Sequence, residues 1–364
     1  MAAKLADVAR RAGVSMATAS RVLNGKMVMP IPAATVERIR HAAQELDYRP
    51  NALARALLSG RSYALGLYSR EMTDPHFGQM LEAADAEARR LGYHLVVSSV
   101  LESICGEGRT DGVILVGSPG EPRFERAPRR VPAVYVGGAV RPGPNMIAWS
   151  DAEGMHAAAR HLIDLGHRRI AGLFCYGGEP AEPVPKLDGF RRAVEAAGVM
   201  WRAYWHGVDP YEVRETNQFE NGYVAARQLL SDWSECTAIV ARNDFIALGA
   251  LRALREAGRR VPDDISVVGY TDSVLATCAD PPLTSVRTPF ARAGTMAVEL
   301  LARAAQAGAM RFDGVLLPTS LTVRGSCAPP RDAQAVVRTR DEGGGRSAAS
   351  ETAAGTPSAR GERS

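Results

Sequence analysis

The 364-residue sequence contains no uninterrupted apolar run near the roughly 18 residues that a membrane helix requires, and Met1-Ala2-Ala3-Lys4 leads into no apolar signal core. Both absences point to a cytoplasmic chain with no membrane partner. Cysteine is sparse and poorly spaced. Cys105, Cys175, Cys236, Cys278 and Cys327 form an odd set without a CxxC pair, which argues against a disulfide framework or a thiolate zinc site and predicts buried thiols. Also missing are a GxGxxG fingerprint, a P-loop, a GxSxG elbow and clustered metal ligands. His156 and His161 diverge around a helix, and His161 and His167 read as structural. The motifs give an enzyme no support and require no cofactor or metal. What is present is 46% hydrophobic residues, enough for cores in two or three domains.

Charge is unevenly placed. Residues 1–62 carry ten basic and four acidic side chains, residues 63–330 carry 28 and 31, and residues 331–364 carry six and five. A small basic head on a slightly acidic body fits nucleic-acid binding by the head, because phosphate attraction has to be concentrated on one face; a solvated basic surface is the plain alternative. Within the head, Leu5, Val8, Ala9 and Ala12 fall at i, i+3, i+4, i+7, and Gly13 ends that helix. Ser15 is a good N-cap for a second helix with Ala19, Val22 and Leu23 inward, closed by Asn24-Gly25. Val36, Ile39, Ala43 and Leu46 mark a third. The outer face of the second helix carries Met16, Ala17, Ser20 and Arg21: arginine can hold guanine O6 and N7, Met and Ala can pack on a thymine methyl, and the Ser15 and Thr18 hydroxyls can bind phosphate. A helix-turn-helix also occurs without DNA, so shape alone leaves both readings open.

Asp7-Val8-Ala9-x-x-Ala12-Gly13-Val14-Ser15-x-x-Thr18-x-Ser20-Arg21-Val22-Leu23-Asn24, followed by Tyr48-x-Pro50-Asn51-x-x-Ala54-Arg55-x-Leu57, closely resembles the DNA-binding head of the LacI/GalR (lactose-repressor-like) family. The resemblance implies that Met16, Ala17 and Arg21 read bases and that Ser15, Thr18, Ser20, Asn24, Lys26, Thr35 and Tyr48 contact phosphate. It also implies a hinge helix from Asn51 to Leu58, with Asn51 and Ala54 in it and Leu57 as a minor-groove wedge. A helix that short is marginal alone and needs a partner, which DNA can be; a plain linker whose leucines pack on the body is the alternative. Three features depart from the family pattern: Lys4 stands at the usual threonine N-cap, the loop from Asn24 to Thr35 is two residues longer, and Pro32 replaces a serine.

Beyond Ser62 apolar runs alternate with helical segments. Strands are expected at 64–68, 94–100, 112–116, 133–136, 170–174, 238–241 and 266–270, and helices near 152–165, 187–198, 221–231 and 244–257, the pattern of parallel α/β lobes that bind ligands beyond the carboxyl ends of strands. Asp74-Pro75-His76-Phe77, His161-Leu162-x-x-Leu165-Gly166-His167-Arg168-Arg169-Ile170, Asn243-Asp244-x-x-Ala247-Leu248-Gly249, the segment Val261 to Gly269 and Pro282-Leu283-Thr284-Ser285-Val286 resemble the same family and its periplasmic-binding-protein-like body. The implied organisation is an all-α helix-turn-helix head over 1–50, a hinge and linker over 51–62, and a two-lobed α/β body of parallel doubly wound sheets over 63–328. The first lobe takes about 63–165 and 289–312, the second about 167–287 and 314–328. Residues 329–364, rich in Gly, Ser, Ala, Thr and Arg without a leucine heptad, read as a disordered tail.

By the same resemblance a cleft between lobes is lined by Tyr68, Asp74 and Phe77 and by Lys186, Asn243, Phe245 and Asp272, with Asp151 or Glu153 between them. These residues suit a polyhydroxylated, sugar-like effector, although Asn243 and Asp272 also suit helix capping and Phe77 suits a core. Lys186 replaces the usual arginine and Thr271 the first of two aspartates. Only Leu101–Asp111 joins two of the strands, room for a helical stub at most, so part of one sheet face should be under-covered. The resulting expectation is a homodimeric, operator-binding repressor of double-stranded DNA controlled by a small effector. The alternatives are a dimer whose cleft no longer binds anything, or a solute-binding protein, against which the basic head stands.

Overall fold

The computed structural model describes residues 3–23, 30–48, 60–70, 72, 75–105, 109–117, 124, 131–138, 142–175, 184–206, 217–308 and 311–331. The expectations for Asn24, Lys26, the hinge with Asn51, Ala54 and Leu57, Asp74 and the tail beyond Arg331 lie outside these residues.

In the head, α1 (Leu5–Ala12), α2 (Met16–Leu23) and α3 (Ala33–Glu45) close one core from Val8, Ala9, Ala12, Ala19, Val22, Val36, Ile39, Ala42 and Ala43. Gly13, at φ 66°, ends α1: its N–H bonds to Arg10 O at 3.2 Å and that of Val14 to Ala9 O at 3.0 Å, a turn a side chain would strain. Ser15 Oγ then accepts from Thr18 N at 3.1 Å and caps α2. Lys4 offers no such side-chain cap to α1; instead its backbone N–H donates to Asp7 Oδ2 at 3.0 Å.

The chain divides into two compact units, residues 1–150 with 289–318 and residues 151–288 with 319–364. The first unit contains β1 (Ala64–Tyr68), α4 (Pro75–Arg90), β2 (His94–Ser98), α5 (Leu101–Cys105), β3 (Gly112–Val116), β4 (Ala133–Gly138) and β5 (Met146–Trp149). The second contains α6 (Asp151–Asp164), β6 (Arg169–Leu173), α7 (Pro185–Ala196), β7 (Met200–Tyr204), α8 (Gln218–Asp232), β8 (Ala238–Ala241), α9 (Asp244–Glu256), β9 (Ser266–Thr271), α10 (Val274–Cys278) and β10 (Thr284–Arg287). The chain returns to the first unit as α11 (Phe290–Ala307) and β11 (Val315–Leu317), then to the second as β12 (Ser320–Thr322).

All strands of the first sheet run parallel in the order β11-β5-β4-β3-β1-β2, with α4 and α11 packed together against one face. The second sheet, β12-β10-β9-β8-β6-β7, is parallel except for β12. It carries α6 and α7 on one face and α8 and α9 on the other. The central strands β1, β3, β6 and β8 are made mostly of Val, Ile, Leu, Ala and Gly, as burial on both faces demands.

Two expected lobe boundaries are corrected. The segment 151–165 belongs to the second unit, because Met155, Ala158, Ala159, Leu162 and Ile163 of α6 join the core formed by Ile170, Phe190 and Val240. The first unit extends past 312 to Pro318, because β11 pairs with β5, Val315 opposite Ile147. The stub in the 101–111 crossover is α5, whose Leu101 and Ile104 bury against Tyr68, Val113, Leu115 and Phe124. Coverage fails at the edge strand, where Val96 and Val97 stay partly exposed. Cys105 lies half-buried beside α5's core, its thiol pushed up to about 11 by desolvation, whereas Cys278 is exposed, contrary to the expectation of five buried thiols.

Candidate functional site

On the head, α2 presents Met16 (58% exposed), Ala17 and Arg21 to solvent while Ala19 and Val22 anchor the opposite side. That arrangement follows from helical periodicity: the inward residues hold α2 on α1 and α3, and the outward ones are free to meet a groove. Ser20, Thr18 and Thr35 are half-buried at the flanks. Ser15 Oγ and Thr18 Oγ1 lie 2.8 Å apart, so these two hydroxyls close the start of the helix as well as facing outward. Tyr48 packs on the head core after its N–H bonds to Ala43 O at 2.8 Å, and burial raises its phenol above the ordinary value. Arg11 pairs with Glu45 at 2.9 Å, fastening α1 to the end of α3.

A polar cluster occupies the carboxyl ends of strands in the second unit. Tyr270, on β9, donates its hydroxyl to Asp151 Oδ1 at 2.8 Å. Lys186, at the start of α7, places Nζ 3.9 Å from the same oxygen and 4.0 Å above the Tyr270 ring, and donates to Arg242 O at 3.2 Å. Gly154 makes this possible, since a Cβ there would come 2.6 Å from the Tyr270 hydroxyl. Beside it, Asn243 caps α9 by accepting from Ile246 N at 3.0 Å and donates Nδ2 to Gln218 Oε1. Phe245 is half-buried in the first turn of α9.

Two neighbouring carboxylates are held inward. Asp244 is buried and accepts from Thr271 Oγ1 (3.0 Å), Ser273 N (2.8 Å), Ser273 Oγ (2.9 Å) and Ser285 Oγ (2.6 Å). Desolvation raises its carboxyl above the usual range, against the pull of those hydrogen bonds. The next turn is left-handed at two non-glycine residues, Thr271 at φ 103° and Asp272 at φ 53°. It buries the Asp272 carboxylate to 1% exposure, where Arg324 (2.7 Å), Arg287 (2.7 Å) and Thr322 (3.0 Å) occupy it.

Lys186, Asp151, Asn243 and Phe245 therefore sit on one edge of the second unit, whereas Asp272 is turned away into ion pairs. Glu153 is also placed elsewhere, exposed and bonded to Arg192 at 2.7 Å. In the first unit Phe77 (3% exposed) belongs to the core beneath α4 and α11, and Tyr68 (5% exposed) stacks edge-on with Phe124 at 5.8 Å. Sequence reasoning missed Tyr270, Asp244 and Gln218 as parts of this arrangement. Tyr270 left a signal: a tyrosine in a strand buried along its whole length must find a partner for its hydroxyl. Among the described residues no group of His, Cys, Asp and Glu has the makings of a metal site, and no helix is long and apolar enough to cross a membrane.

Comparison with known proteins matches residues 4–51 to the bacterial regulatory proteins of the lacI family and residues 159–327 to the periplasmic binding protein-like domain. The ribose operon repressor of Escherichia coli (strain K12) is 32% identical over 342 residues, which cover 89% of this chain and 99% of that protein. Among solved structures, a Lac repressor dimer bound to operator and the anti-inducer ONPF is 30% identical with a TM-score of 0.72, covering 90% of this chain and 100% of that one. A complex of the transcriptional regulator CelR with cellobiose is 29% identical with a TM-score of 0.60, covering 89% and 99%.

Proposed function

Because the chain belongs to the LacI family of bacterial regulatory proteins, we propose that it is a sequence-specific transcriptional repressor that binds a pseudo-palindromic operator as a homodimer, with its operator affinity set by a small effector. In this reading it binds and does not catalyse, and it works in the cytoplasm. The head over 1–50 docks on DNA, the linker over 51–62 enters the minor groove, and the body over 63–328 dimerises and takes the effector. Met16, Ala17 and Arg21 read bases; Ser15, Thr18, Ser20, Asn24, Lys26, Thr35 and Tyr48 hold phosphate; Asn51, Ala54 and Leu57 serve the hinge.

The observation that carries the reading is α2, whose Met16, Ala17 and Arg21 stand exposed over an intact three-helix core. For the effector, Lys186, Asp151 and Asn243 combine donors and acceptors on one edge beside the Phe245 ring, a set suited to the hydroxyls and apolar face of a sugar-like molecule. The named relatives, a ribose operon repressor and a cellobiose-bound regulator, support the same class.

The test is selection of genomic fragments by the purified protein at fixed salt, repeated with ribose, cellobiose and related sugars. A recovered palindrome whose retention changes with one sugar supports the reading, and fragments without a palindrome contradict it.

A further inference from the structure

We propose that Asp111 is a positioning residue for operator binding, clamping residues 61–63, where the linker from the DNA-binding head joins the body. The inference rests on the repressor reading above. Asp111 lies at the end of the shortened crossover, immediately before β3, and its carboxylate faces four donors from three consecutive linker residues. Oδ1 accepts from Ser62 N at 2.7 Å and from Ser62 Oγ at 2.8 Å; Oδ2 accepts from Tyr63 N at 3.1 Å and lies 3.5 Å from Arg61 Nε. The Arg61 guanidinium also donates to the Tyr93 hydroxyl and stands 5.5 Å and 5.8 Å from the Tyr63 and Tyr93 ring centres.

These contacts fix direction as well as position. Tyr63 takes a left-handed φ of 54°, an outlier for a bulky residue, so the chain turns sharply just before β1. The turn is held from both neighbouring strands: His94 N donates to Tyr63 O at 2.9 Å, and Asp111 N to Ala64 O at 2.8 Å. Sheet pairing alone accounts for the last two bonds. It does not account for a carboxylate that gathers Arg61, Ser62 and Tyr63 together, all on the head side of β1. A chain held this way leaves the body along one heading, so a dimer presents two heads at a set spacing. Loosening the clamp lowers the effective concentration of the second head at its half-site without touching either head's contacts.

The experiment compares the full-length protein with Asp111→Asn, which puts an amide donor where donors already converge, and with Arg61→Met, which keeps the carboxylate and removes its cation. Affinity is measured for the palindrome selected by the unaltered protein and for its isolated half-site, alongside chymotrypsin cleavage after Tyr63 and the unfolding temperature. Both variants should bind the palindrome about tenfold more weakly and the half-site as before, with faster cleavage and a body that stays folded at the assay temperature. Unchanged palindrome affinity in both variants overturns the role. So does an equal loss on palindrome and half-site, which would assign the clamp to general DNA affinity or to folding. If the unaltered protein selects no palindrome, the repressor reading itself fails.

Discussion

Arg21 is the side chain on which base recognition turns in this account, because it is the one cation on the exposed face of α2 and is free to make a two-point contact with guanine. Replacing it with alanine should cost roughly 1–3 kcal/mol at one base pair of each half-site and relax the preference there, whereas Lys26→Ala should weaken all sequences similarly. Binding to a set of singly substituted operators separates the two; equal losses on operator and random DNA for both variants would contradict these roles. The head residues were legible one by one because helical spacing alone sorts inside from outside, as Ala19 and Val22 against Met16 and Ala17 show. The effector residues were less so. Asp272 has a carboxylate suited to a ligand, but only the three-dimensional placement of Arg287 and Arg324, distant in sequence, determines that it is already paired.

At the scale of elements, the short crossover shows how a stub can do part of a full helix's work. Ile104, 1% exposed in α5, shares a buried cluster with Tyr68, Val113 and Leu115, so truncating it removes apolar packing from that face of the sheet. Ile104→Ala should destabilise the first unit by about 2–5 kcal/mol, measured by denaturant unfolding; a loss under about 0.5 kcal/mol would mean that α5 does not bear on the sheet. Strands such as β1 and β3 could be read from their unbroken apolar runs. β7, β10 and β12 could not, since polar residues such as Arg202, Ser285 and Ser320 interrupt their apolar ones, and β5 and β11, apolar but short, were not anticipated. The assignment of α6 to the second unit was hidden for a different reason. An amphipathic helix declares which of its sides is buried, not which sheet it is buried against.

For the molecule as a whole, acid should loosen the second unit as pH falls below about 6.5, through His167. Its ring is buried: Nε2 donates to Ala328 O at 2.9 Å and Nδ1 lies 3.0 Å from Thr237 Oγ1, and desolvation lowers its pKa from 6.5 to about 4. Between those values the unfolded chain binds a proton that the folded chain does not. Its contribution is therefore complete above about pH 6.5 and is lost as pH falls toward 4, by on the order of 3 kcal/mol at most. His167→Gln, which keeps a donor for Ala328 O, should flatten that part of the stability profile; an unaltered profile would contradict the assignment. The division into a basic head and a two-unit α/β body was legible from charge and alternation, while the crossing points between units were fixed by packing. The central claim is that effector and operator are coupled through one conformational equilibrium, and linkage makes that claim quantitative. The most direct measurement is operator affinity with and without the sugar found by selection, beside sugar affinity with and without operator. The account predicts the same factor in both directions; a sugar that binds the body while leaving operator affinity unchanged would contradict it.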